Sequence, residues 1–332
     1  MSADGQPPAK RRRSETPSGD LSSLVQPVRS EDVWYDDGNI ILQAENTQFK
    51  VVKSILQRNS SVFKDMLSLP QPTSSDTELV EGCPVVHLSD SADEVRYVLK
   101  ALFEREYVAF GEQLPLAVIS AFICLGKKYD IQKLYAEAVK KMYQEIPVTL
   151  TDYDALPNEW TLVEDLEYME VVILARRSGL LSLLPFVFYQ CCYRYSTADI
   201  VTGLVIDDES KILLSHQDQI VCLGGYRACC EIQADTTYGW IHDCDSLGPS
   251  CTTRKICKKA KQAYSLEHFN SRPGLRALVE WSDCAPPDLC DECIKEGRLK
   301  HAAGRLEFWE KLPGIFDLPP WTQLLKERQE IN

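Results

Sequence analysis

Nine cysteines lie between residues 222 and 293, and two of them have a spacing that suits a metal ion. Tetrahedral zinc takes four thiolate or imidazole ligands, which proteins commonly supply in C-x2-C pairs. Cys290 and Cys293 form such a pair, and Cys251 and Cys257 precede them with five residues between. The sequence therefore offers a candidate set for a structural zinc site, with two histidines as further candidate ligands: Cys251, Cys257, Cys290, Cys293, His242 and His268.

The same spacing has a second interpretation. Residues three apart on a helix lie on one face, so Cys290 and Cys293 would face the core if the segment is helical. Free cysteine buries readily. We expect reduced thiols, because the first thirty residues contain no apolar stretch typical of a secretory signal. A zinc site and a set of core cysteines both remain open.

The familiar catalytic motifs are missing from the sequence. It contains no G-x-S-x-G, H-E-x-x-H, P-loop or G-x-G-x-x-G pattern. Glycine is scarce, at 16 residues, and no glycine-rich stretch could cradle a phosphate group. We therefore predict no catalytic residues, no cofactor other than zinc, and a protein that is not an enzyme.

Charge limits the partners that we expect. The formal net charge of −13 argues against broad nucleic-acid binding, because a phosphate backbone would be repelled. One basic run stands out near the N-terminus, at Lys10, Arg11, Arg12 and Arg13. In a polar, accessible tail such a run suits recognition by nuclear-import receptors, and its other interpretation is a solvated charge cluster with no role. We predict a nuclear or cytoplasmic protein.

The most apolar run of the chain covers residues 180–192. Ser182, Pro185 and Gln190 interrupt it, and it is shorter than the roughly 18–20 apolar residues that span a bilayer. We predict a buried helix here and no membrane partner.

The elements of the first half alternate between strand and helix patterns. Residues 1–28 are rich in Gly, Pro, Ser and charge, which predicts a disordered tail. Two short strands at 39–44 and 48–52 follow, joined as a hairpin by Glu45-Asn46. Helical spacing then appears after 52, with Ser60-Ser61 as a helix cap. A third strand is predicted at 85–88, a helix after Ser89-Asp90-Ser91, and later helices at 114–129 and 131–143.

This succession resembles the BTB/POZ family, of the fungal type. The residues that carry the likeness span 30–142, about a third of the chain. They form short pieces: Asp32-Val33-Trp34, Phe49-x-Val51-x-Lys53-x-x-Leu56, residues 58–67 (RNSSVFKDML), Val85-x-x-Leu88-Ser89-Asp90, residues 98–103 (VLKALF) and Leu125-x-Lys127-Lys128-Tyr129-Asp130. The order and spacing of the pieces make the pattern specific. Val52 departs from it, because the family often has histidine there.

The resemblance implies a binding scaffold with a short sheet capped by helices. Members of the family often dimerise or recruit protein partners, and some connect a substrate to a cullin-type ubiquitin ligase. Those adaptors carry a hydrophobic-x-Glu element in a loop, and Leu79-Val80-Glu81 occupies a comparable place here. On this likeness, Leu79 and Glu81 are candidate partner-binding residues.

Residues 148–332 show mainly helical spacing. A polar linker is predicted at 152–159. Helices are predicted from 162 to a C-terminal cap at Gly179, at 186–195, from Ser215 onward, and at 255–262, 274–283 and 289–311. The predicted fold class is α+β: a tail over 1–28, a BTB/POZ-like domain over 29–147, and a helical, cysteine-bearing domain over 148–332. Residues 312–321 are predicted to pack on this domain as an apolar clasp.

Three functional hypotheses follow. The first is a protein–protein interaction scaffold that self-associates as a homodimer or docks partners through the BTB/POZ-like domain. The second is a substrate adaptor for a cullin-type ubiquitin ligase. The third is a nuclear regulatory protein stabilised by zinc.

Overall fold

A sheet with five described strands lies between Val28 and Leu88. In the computed structural model, which describes residues 26–69, 78–104, 113–157, 161–164, 166–206, 210–242, 247–270, 274–283 and 286–329, the strands run in the order β1-β3-β2-β5-β4. Their bounds are β1 (Val28–Trp34), β2 (Ile40–Ala44), β3 (Thr47–Val51), β4 (Leu79–Val80) and β5 (Cys83–Leu88). Strands β2 and β3 form the predicted antiparallel hairpin, whereas β1 pairs with β3 and β5 with β2 in parallel.

The central strand β2 owes its place to its composition. Ile40, Ile41, Leu42 and Ala44 are all buried, which fits a strand covered on both faces. Strand β1 was not predicted, because its polar sequence VRSEDVW buries only two of its seven residues. It begins at Val28, so the predicted tail over 1–28 extends too far; residues 1–25 lie outside the described part of the chain.

The chain divides into two compact units, within each of which the residues lie close together. One comprises Met1–Val52 and Ser74–Ala92 and contains the sheet, and the other comprises Lys53–Thr73 and Asp93–Asn332. The fold is therefore mixed α and β, with a small N-terminal sheet and a predominantly helical remainder.

The helices between the hairpin and residue 145 lie close to their predicted positions. They are α1 (Lys53–Asn59), α2 (Ser61–Ser68), α3 (Ala92–Phe103), α4 (Leu116–Lys128) and α5 (Gln132–Glu145). Ser60 caps α2, since its hydroxyl accepts the backbone N–H of Phe63 at 2.9 Å. Phe63 is buried and stacks on Tyr129, with 4.7 Å between the ring centroids.

Within the residues that the structure describes, nine further helices follow in the helical unit. They are α6 (Leu150–Asp154), α7 (Tyr168–Ser178), α8 (Leu184–Arg194), α9 (Thr197–Thr202), α10 (His216–Asp235), α11 (Gly239–His242), α12 (Arg254–Asn270), α13 (Asp291–Ile315) and α14 (Trp321–Gln329). Two short ladders lie among them: β6 (Leu114–Pro115) with β7 (Val163–Glu164), and β8 (Leu204–Val205) with β9 (Lys211–Ile212).

The core of this unit forms around α8, the predicted buried helix. Pro185 stands in its first turn, where the missing N–H costs no hydrogen bond. Gly179 ends α7 with a φ of 80°, as its sequence position indicated. Phe186 and Trp309 pack against each other, and Trp321 stacks on Trp309, so the predicted apolar clasp does contact the core.

Three predictions about helices and the linker are wrong in the described part of the chain. The helix predicted from 162 begins only at Tyr168, because Val163–Glu164 pairs with Leu114–Pro115 as strand β7. Residues 274–283 are not a helix: the described segment is irregular, with one 3-10 turn at Trp281–Asp283. Its backbone bonds to side chains of α10 and α13, which replace the hydrogen bonds of a helix. The predicted linker at 152–159 begins inside α6, because Thr149 caps that helix by accepting the N–H of Asp152.

No helix in the described ranges is long and apolar enough to cross a membrane.

Candidate metal centre

Two helix beginnings and one turn bring four cysteines together. Cys251 closes a turn, where its backbone N–H donates to the carbonyl of Gly248 at 2.9 Å. Cys257 lies in the first turn of α12. Cys290 is the N-cap residue of α13, and Cys293 lies in the first turn of that helix. Each helix thus presents cysteines near its N-terminus, where the helix dipole favours a thiolate.

The sulfur atoms of these cysteines lie within 4.8 Å of one another. The Sγ atoms of Cys251 and Cys290 are 3.7 Å apart. Zinc–sulfur bonds of about 2.3 Å in a tetrahedron place neighbouring sulfurs about 3.8 Å apart. The cluster therefore has the donor type, the number and the separation that a tetrahedral zinc ion requires.

Two hydrogen-bonding groups lie close to the sulfur of Cys257. The backbone N–H of Cys290 donates to Cys257 Sγ at 3.3 Å, and the hydroxyl of Thr253 lies 3.2 Å from the same atom. Such donors orient and stabilise thiolate ligands. Thr253 is a supporting residue that the cysteine spacing did not reveal.

The four thiols differ in their tendency to ionise. Hydrogen bonding, first from the backbone N–H of Cys293 and also from the neighbouring thiols, lowers the pKa of Cys290 to about 6. Burial raises the pKa of Cys293 to about 12 and also raises the pKa of Cys251. A bound divalent cation would offset this cost, because its charge favours the thiolate form of each ligand.

An apolar cluster surrounds the sulfurs. Cys251, Cys257 and Cys293 pack with Tyr238, Trp240, Ile241, Tyr264 and Leu289. The cysteines thus contribute to a core, as the second interpretation of their spacing held. Cys290 and Cys293 do not simply share one helix face, however, since Cys290 precedes the helix and is only half-buried. Such a dry surround limits water access to a metal site.

Among the side chains that the structure describes, no further ligand joins the cluster. The four cysteines are the one group there of three or more His, Cys, Asp or Glu side chains close enough to hold a metal ion. Cys222 and Cys229 are buried along α10. The side chains of His242 and His268 lie outside the described part, and so do Lys10, Arg11, Arg12 and Arg13.

The hydrophobic-x-Glu element has a different setting from the one predicted. Leu79 and Val80 form the edge strand β4 instead of a loop, with the Leu79 side chain 59% exposed. Glu81 follows in a turn and forms ion pairs with Arg29 at 2.7 Å and Lys50 at 3.1 Å. The hydrogen bond from Lys50 is the main reason why the pKa of Glu81 is lowered. Its carboxylate is therefore engaged within the sheet unit.

No protein-family model, no curated protein and no solved structure matches this chain.

Proposed function

We propose that this protein is a non-enzymatic, protein-interaction scaffold whose helical unit is stabilised by a structural zinc ion. The observation that carries the proposal is the convergence of four sulfurs, Cys251, Cys257, Cys290 and Cys293, within 4.8 Å. Four protein ligands complete a tetrahedron, whereas catalytic zinc keeps one position open for water or substrate. Zinc in such a site supplies folding energy and does no chemistry.

The scaffold part of the proposal draws on the first half of the chain. A hairpin, two short helices and a further strand follow one another where the likeness to BTB/POZ domains lies. That likeness favours self-association or partner docking by the N-terminal region. The narrower role as a cullin adaptor gains nothing from Glu81, because Arg29 and Lys50 already bind its carboxylate.

Measurement of the zinc content tests the proposed structural zinc ion. We expect about one zinc ion per chain by elemental analysis of purified, tag-free protein kept reduced, in line with a four-thiolate site. Cys257→Ser should abolish the bound zinc and lower the Tm, since the hydroxyl is a poor zinc ligand. Cys124→Ser, which changes a half-buried thiol on α4, is the matched control and should retain zinc. Metal-free wild-type protein after reconstitution with zinc would contradict the proposal.

Measurement of the mass in solution by light scattering tests the proposed self-association. A self-associating scaffold should give a mass of at least twice the 37.6 kDa of the chain. A monomer at all concentrations would contradict self-association and leave docking of another protein as the remaining form of the scaffold role.

A further inference from the structure

A long cleft runs through the helical unit, apart from the cysteine cluster. It consists of two adjoining cavities of about 560 and 640 Å³. Both are lined by Tyr193 and Arg276, so the two cavities lie next to each other. One wall is the C-terminal end of α8, and the other is the irregular segment 274–280.

The irregular wall is held in place by buried side chains. Gln233 of α10 donates to the carbonyl of Gly274 at 2.9 Å and accepts the N–H of Arg276 at 2.8 Å, much as a paired strand would. Arg305 of α13 donates to the carbonyl of Leu278 at 2.9 Å. Gln233 and Arg305 are both at least nine-tenths buried. Since its shape is set before any partner arrives, the cleft loses little entropy on binding.

Tyrosines dominate the lining. Tyr153, Tyr168, Tyr189 and Tyr193 line one cavity, and Tyr193, Tyr195 and Tyr226 line the other. Tyr193 is 55% exposed and stacks parallel on the buried ring of Tyr189, with 6.3 Å between centroids. Tyr226 is 41% exposed. Tyrosine and arginine are the side chains that contribute most to protein–protein binding sites.

The charges of the cleft favour an anionic partner. Arg194 lies over the ring of Tyr168, 5.2 Å from its centroid, and its side chain is exposed, as is that of Arg276. Of the two lining carboxylates, Asp154 is already bound by Arg305 through two hydrogen bonds. The other, Glu280, also lines the first cavity. Two exposed arginines in a chain of net charge −13 make this cleft locally cationic.

We infer that this cleft binds a segment of a partner protein that carries a carboxylate flanked by bulky aromatic or aliphatic side chains. The carboxylate would lie between Arg194 and Arg276, which can bind it in a bidentate manner. The bulky side chains would pack on Tyr193 and on Tyr226 beside Leu223. This inference rests on the proposed scaffold function and names the surface and the kind of partner.

A peptide array provides the probe. Short peptides with Glu between aromatic or aliphatic residues are compared with the same peptides carrying Gln or Lys. The strongest binder is then titrated against wild-type protein by fluorescence anisotropy. We expect Glu peptides to bind, and Gln peptides to bind roughly tenfold more weakly because the charge-assisted hydrogen bonds are lost.

Variants of the exposed cleft side chains identify the binding surface. Arg276→Glu and Tyr193→Ala should each weaken binding of the Glu peptide at least about tenfold. Arg276→Glu should at the same time improve binding of the Lys peptide. Arg298→Glu changes an exposed arginine of α13 outside the cleft lining and should leave binding unchanged. Equal Tm values of all variants would show that each is folded.

Several results would overturn the inference. They are equal binding of Glu, Gln and Lys peptides, no effect of Arg276→Glu or Tyr193→Ala, and displacement of the peptide by a single-stranded oligonucleotide at matched ionic strength. Conversion of a dimer to a monomer by Tyr193→Ala would assign the cleft to a second copy and also overturn it. Zinc content and mass are measured on the same sample, so that failure of peptide binding can be distinguished from failure of the scaffold proposal. Folded, zinc-loaded protein that binds no peptide would contradict the inferred binding role of the cleft and would leave the scaffold proposal standing.

Discussion

At the scale of single residues, buried carboxylates near the ends of helices hold loops of the helical unit by accepting their backbone N–H groups. Glu145 is 2% exposed, and its carboxylate accepts hydrogen bonds from the N–H and the hydroxyl of Thr161 and from the N–H of Leu162. These bonds hold the chain just before β7. Glu327 acts in a similar way on the turn before α8, where it accepts the N–H of Leu181 at 2.7 Å.

Loss of the Glu145 carboxylate should therefore be costly. Glu145→Ala would leave two backbone N–H groups and a hydroxyl without an acceptor, and we expect the free energy of unfolding to fall by about 3 kcal/mol. Urea denaturation measures it. Glu137→Ala, at an exposed site on the same helix, is the control and should change stability by less than about 0.5 kcal/mol. Equal stability of the two variants would show that the Glu145 bonds contribute little.

At the scale of elements, α13 connects the features described above. Its buried residues recur every three or four positions, which marks one continuous face. Cys293 belongs to the metal cluster, Arg305 holds the cleft wall, and Trp309 packs in the core on Phe186. A single helix thus positions the candidate metal centre and the candidate docking cleft.

Two adjacent glycines of α10 should respond in opposite ways to substitution. A Cβ at Gly225 would clash with the ring of Phe316 at Cε1, whereas a Cβ at Gly224 would meet nothing within 4 Å. Gly224→Ala should stabilise the protein by about 0.5–1 kcal/mol through helix propensity. Gly225→Ala should destabilise it by about 1–3 kcal/mol, since Phe316 is buried and has to move.

Urea denaturation of Gly224→Ala and Gly225→Ala under the same conditions measures both changes in the free energy of unfolding. Destabilisation by Gly224→Ala, or a gain in stability from Gly225→Ala, would contradict the packing of α10 against Phe316.

At the scale of the whole molecule, the candidate zinc site and the sheet belong to different compact units. Removal of the proposed zinc ion by a chelator should therefore act locally. We expect amide hydrogen exchange to accelerate in α11, in α12 and in the first turns of α13, because the apolar cluster around the sulfurs loses its cross-link.

Exchange in β2 and β3 is the internal control and should not change. Uniform acceleration across the chain would show that the metal supports global stability, and no change anywhere would argue against a structural role. Addition of zinc after removal of the chelator should restore protection if the effect is due to the metal.

The sequence by itself determined the features that depend on neighbours along the chain. Alternating and helical spacing located the β2–β3 hairpin and most helices, and Ser60, Gly179 and Ser215 marked helix ends through local hydrogen bonds or a left-handed backbone. The C-x2-C pair and its two companions were also selected from nine cysteines by spacing alone.

Only the tertiary structure decided what depends on residues far apart in sequence. Spacing could not show that Cys251 and Cys290 bring their sulfurs to 3.7 Å, because that distance depends on how the turn at Cys251 is placed against the start of α13. Nor could it place β1 in the sheet, since a polar strand becomes regular only through its partner β3. Segment 274–280 is irregular because Gln233 and Arg305 satisfy its backbone, and the cleft beside it exists for the same reason: long-range hydrogen bonds outweigh local helix propensity.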